Sequence, residues 1–79
     1  MAYEAAIEAI NGTVGAYSAR IAAEEAQEEP DSAAIAAWQE RQGECTRARQ
    51  ALDPTDHGEI ARVREHYALL AREVWGGQE

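Results

Sequence analysis

The chain has 79 residues, fifteen acidic and seven basic side chains and a formal charge of −8, so it has room for one domain and one small core. Phosphate recognition depends on positive charge, and this balance argues against direct nucleic-acid binding and for a basic protein partner. Cys45 is the only cysteine; an intramolecular disulfide is excluded and a reducing compartment is suggested.

Met1 leads into Ala2, Tyr3 and Glu4 with neither a basic leader nor an apolar run, and no segment reaches the roughly 20 apolar residues of a membrane helix. The expectation is a cytoplasmic protein with no membrane partner. Eighteen alanines and bases that are all arginine give it the composition of a high-GC bacterial reading frame.

The first predicted helix covers about residues 2–29. Tyr3, Ile7, Ile10, Val14, Tyr17 and Ile21 recur in alternating steps of four and three, a coiled-coil-like seam for a neighbouring helix. The phase runs unbroken through Asn11-Gly12-Thr13-Val14-Gly15, where local composition alone suggests a turn, and continuity of phase decides for helix. On the opposite side Ala2, Ala5, Ala9, Gly12, Ala16, Ala19, Ala23 and Ala26 form a small-residue strip. Helix propensity alone explains the alanines but not Gly12. The strip over Ala5, Ala9, Gly12, Ala16, Ala19 and Ala23 is therefore the candidate self-association face, most simply of a two-fold homodimer.

Pro30 ends this helix, and Asp31 and Ser32 offer acceptors to the next. The second helix, about 31–52, carries Ala34, Trp38, Arg41, Cys45, Ala48 and Leu52 on its seam, flanked by Ile35. Arg41 must reach the edge or meet a carboxylate. The third helix, about 54–75, begins at either Asp53 or Asp56, the latter with Glu59 three residues on. Ile60, Val63, Tyr67, Leu70 and Val74 form its seam, with Leu69 and Trp75 widening it, and Gly76-Gly77 releases the chain.

Three helices with short links fold back on one another, so the predicted fold is all-α: an antiparallel three-helix bundle with a long, two-faced first helix, a single domain over 1–79. At 1.5 Å per residue the first helix is about 42 Å long against about 32 Å for its partners, and its end should project.

A catalytic centre is not evident. Cys45 lies in an apolar seam and lacks the oriented base that nucleophilic catalysis needs. Without lysine there is no Gly-x-x-x-x-Gly-Lys loop, and no Glu-x-x-His pair occurs. The caps Asp53 and Asp56 with His57 form at most a weak surface cation site, so neither metal nor cofactor is expected.

Charge is the more informative pattern. Residues 1–30 carry −5, residues 31–52 balance, and residues 53–79 carry −3. Glu24, Glu25, Glu28 and Glu29 crowd a helix end where the macrodipole favours cations, and the 24/28 and 25/29 pairs repel. With Asp31 they are the candidate partner-binding cluster. The pairs Arg47/Arg49 and Arg62/Arg64 are candidates to meet the first helix's glutamates, within the bundle or across a dimer.

The leading expectation is a small acidic, non-enzymatic interaction or regulatory protein that self-associates. The alternatives are an acidic mimic of nucleic acid that inhibits a DNA- or RNA-binding protein and, third, a bundle that binds a small ligand or metal.

Overall fold

The computed structural model describes residues 2–76 as three helices: α1 (Ala2–Glu25), α2 (Ser32–Ala51) and α3 (His57–Gly76). The fold is an all-α three-helix bundle. Ala6 in the first half of α1 packs with Leu52 after α2 and with Ile60 early in α3. Tyr17, later in α1, packs with Val74 late in α3, and Trp38 early in α2 leans on the same cluster. The helices therefore run up, down and up, with α3 parallel to α1.

α1 packs against both other helices, whereas no Cα of α2 comes within 8 Å of one of α3. The molecule is accordingly flat, 47 × 22 × 13 Å. Its core is two small clusters, one at each end of α1. Ile10, Thr13 and Cys45 are its largest fully buried side chains.

Helix ends follow local chemistry. α1 stops at Glu25, a turn short of residue 29, because Glu28 and Glu29 would set like charges against Glu24 and Glu25 beside an already negative helix end. The Gln27 amide donates to the Glu24 carbonyl over a tightened final turn, at 3.1 Å, and the Asp31 amide donates to Glu24 Oε2 at 3.0 Å. Asp31 is extended (φ −81°, ψ 96°) and caps α2 by accepting from the Ala34 amide at 3.1 Å.

At the other link the Asp56 start prevails over the Asp53 start. Asp56 Oδ1 accepts from the Glu59 amide, while Asp53 Oδ1 accepts from both the amide and the hydroxyl of Thr55. Those bonds hold the Asp53 carboxyl below its ordinary range. With the folded pKa the lower of the two, this stabilisation is present above the unfolded value and is lost as pH falls through the folded one.

Polar ties fix how the helices meet. Thr13 Oγ1 is fully buried, 3.0 Å from the Ala9 carbonyl and 3.1 Å from that of Tyr67. Its single proton serves one acceptor at a time. Arg20 Nε donates to the Val74 carbonyl at 3.0 Å near the end of α3, and its guanidinium sits 5.9 Å from the Trp38 ring centre. Between α1 and α2, Gln42 donates to the Val14 carbonyl and to Ser18 Oγ, and Arg49 donates to Asn11 Oδ1.

Gly12 and Gly15 lie inside α1, and a Cβ at either would meet no atom within 4 Å. Gly12→Ala and Gly15→Ala should each stabilise by about 1 kcal/mol. A thermal melt should then rise by roughly 4–8 °C per substitution for a chain this size; a lower melting temperature would show that the backbone needs its freedom there.

One packing expectation is corrected, and another is not met within the bundle. Leu69 and Trp75 do not widen the α3 seam: they are 51% and 48% exposed, because α3 packs chiefly on α1 and buries only a narrow stripe running from Ile60 to Val74. The Arg47/Arg49 and Arg62/Arg64 pairs do not meet helix 1's glutamates among the described residues. The two ion pairs present, Arg41–Glu44 and Arg62–Glu59, each lie within one turn of one helix. Gly77, in the expected release of the chain, lies outside the described residues.

Candidate interaction surface

The acidic cluster is split by its local roles. Glu24 is half-buried and accepts from the Asp31 amide in the loop, and Asp31 accepts from the Ala34 amide in the first turn of α2. Glu25, Glu28 and Glu29 are exposed. They mark the acid-rich end of the molecule, around the α1–α2 link.

The small-residue strip is not one continuous free surface. Ala16 is fully buried with Tyr17 and Val74, while Ala5, Ala9 and Ala19 are half-buried and Gly12 and Ala23 exposed. A helix with two buriable faces needs two neighbours. Within the chain α3 meets α1 around Thr13 and Ala16, and α2 meets the side of Asn11, Val14 and Ser18.

The separation of α2 from α3 leaves a groove between them, with Tyr17 of α1 as its floor. Its middle is a cleft of ≈ 330 Å³ formed by Tyr17, Arg41, Glu44, Cys45, His66, Tyr67 and Leu70. Towards one end it continues over Trp38, Ala37, Arg20 and Glu73, and towards the other over Ala48, Val63, Glu59 and Arg62. Trp38, Tyr67, Leu70, Val63 and Ala48 are all half-buried, so an apolar band runs along the groove with charged groups at its edges. Arg41 settles at this edge, 3.2 Å from Glu44.

The polar groups at the bottom are held neutral. Burial pushes the Tyr17 and Tyr67 hydroxyls above the ordinary phenol range, and burial followed by the nearby Glu44 carboxylate raises the Cys45 thiol. A thiol that is 2% exposed and raised in pKa is a poor nucleophile at neutral pH. Cys45 should label slowly with a disulfide reagent in the native state and rapidly in denaturant. Native labelling as fast as that of a free thiol would show that the groove opens down to α1.

Sequence reasoning placed Trp38, Cys45, Tyr67 and Leu70 on helix seams but did not see a shared groove. It also missed Ala6 and Thr13, both fully buried. They lie between the bulky seam and the small strip of α1, the sector that faces α3.

No protein-family model matches this chain, and neither a curated protein nor a solved structure matches it.

Proposed function

We propose that this chain is a non-enzymatic protein-interaction module whose docking surface is the α2/α3 groove. The observation that carries this reading is the half-buried band of Trp38, Tyr67, Leu70 and Val63 between two helices whose Cα atoms stay more than 8 Å apart. Aromatic side chains that bury much area with few rotatable bonds are the usual anchors of interfaces. The chain exposes 5279 Å², more than the about 4,700 Å² expected of a compact monomer of 8.6 kDa. The neutral thiol and phenols on the groove floor suit an apolar contact better than bond-making chemistry.

The exposed Glu25, Glu28 and Glu29 give the module a second, charged end that favours basic over acidic partners. This supports an interaction or regulatory role over catalysis.

The test is a photo-crosslinking amino acid placed at Ala37, exposed on the groove wall, and separately at Ala22, exposed on α1. A discrete adduct in expressing cells from position 37 but not 22 is the expected outcome. Equal, diffuse crosslinking from both positions would remove the groove as the docking surface.

A further inference from the structure

We propose that the occupant of the α2/α3 groove is a second copy of this chain, packed groove face to groove face about a two-fold axis. This rests on the groove being the docking surface, and the argument for the occupant is electrostatic. The chain carries −8, so two copies repel unless they meet through a face whose acids are balanced by bases. The groove is that face. Its charged groups are Arg20, Arg41 and Arg62 against Glu44, Glu59 and Glu73, a balance of three to three, with Arg41–Glu44 and Arg62–Glu59 already paired.

The exposed acids Glu4, Glu8, Glu25, Glu28 and Glu29 line no part of it. A basic partner would be drawn to those acids and would gain nothing from a neutral groove. A copy of the chain, by contrast, meets an apolar band matching its own, and closed two-fold pairs are the commonest self-assembly. The flat molecule, 47 × 22 × 13 Å overall, has a broad side with room for the about 800 Å² per partner of a standard interface.

The experiment is sedimentation equilibrium of the purified full chain from about 1 µM to about 1 mM, a range that spans weak to moderate dimer affinities. The wild type should show twice the chain mass at the upper end. The double variant Ala37→Glu with His66→Glu places acids on the groove at positions exposed in the single chain. It should keep its helical circular dichroism and weaken dimerisation by about 100-fold or more. Ala22→Glu with Ala23→Glu, exposed on α1, should leave it unchanged.

Added salt screens the repulsion between the acidic ends, so association should strengthen as salt rises from about 50 mM to about 500 mM. Weakening with salt, or dissociation by the α1 variant and not by the groove variant, would overturn the proposal. A wild type that is monomeric throughout would overturn it as well. If that monomer still gives a crosslink from position 37 to a different protein, the groove survives as a docking surface and only the second copy is refuted. If it gives none, both readings fall.

Discussion

Ala16→Arg unfolds the protein. Ala16 has no exposed surface and touches Tyr17 and Val74 where α1 and α3 meet. A guanidinium introduced there has no carboxylate beside it in the cluster, and its stem needs volume that only displacement of α3 can provide. The expected cost is about 4 kcal/mol or more, against a total stability of roughly 4–12 kcal/mol for a chain of this length. Far-ultraviolet circular dichroism should show lost helicity or a melt shifted far down. Ala22→Arg, at an exposed position of the same helix, should change stability by no more than about 0.5 kcal/mol. A cooperative, wild-type-like melt of Ala16→Arg would mean that α3 does not pack on this side of α1.

Ile10→Ala is the second large effect. Ile10 is fully buried, and lies in sequence midway between the α1 residues of the two clusters. Removal of its branched side chain should cost about 2–5 kcal/mol, set by how far the neighbours can collapse. Leu69→Ala deletes a side chain of similar size that is 51% exposed and should cost little by comparison. Urea titrations of the two variants decide the matter. Similar midpoints for both would place the core elsewhere along α1.

The helices were legible because their signals are local. An unbroken phase from Tyr3 to Ile21 carries α1 through Gly12 and Gly15, and Pro30, Asp31 and Asp56 mark boundaries by capping chemistry. The link between α1 and α2 was overrun by four residues, because periodicity is blind to the repulsion among Glu24, Glu25, Glu28 and Glu29. The groove was not legible. The seams name the side chains that seek burial, but the angle at which α2 and α3 lean on α1 depends on contacts such as Thr13 to the Tyr67 carbonyl. Thr13 reads in sequence as one polar residue among several. Nor was the burial of Ala16 against α3 legible, since small residues invite close approach by any helix.

That the backbones of α2 and α3 each pack on α1 and stay more than 8 Å from one another divides the cooperativity of the molecule. α1 is the shared strut: losing it strips both neighbours of their packing, whereas either neighbour can detach while the other stays. α2 buries only Cys45 within its span and is held besides by Trp38 on the Tyr17–Val74 cluster and by the ties from Gln42 and Arg49, so its detachment is the cheaper excursion. Native-state amide exchange should reveal it as a sub-global opening, with α2 protons leaving before those at the centre of α1. Stability changes at positions of α2 and α3 far from the groove should add, because distant sites without a shared partner couple weakly, whereas Trp38 and Leu70, packed on one cluster, should couple. Those introduced at Ile10 or Thr13 should couple to both.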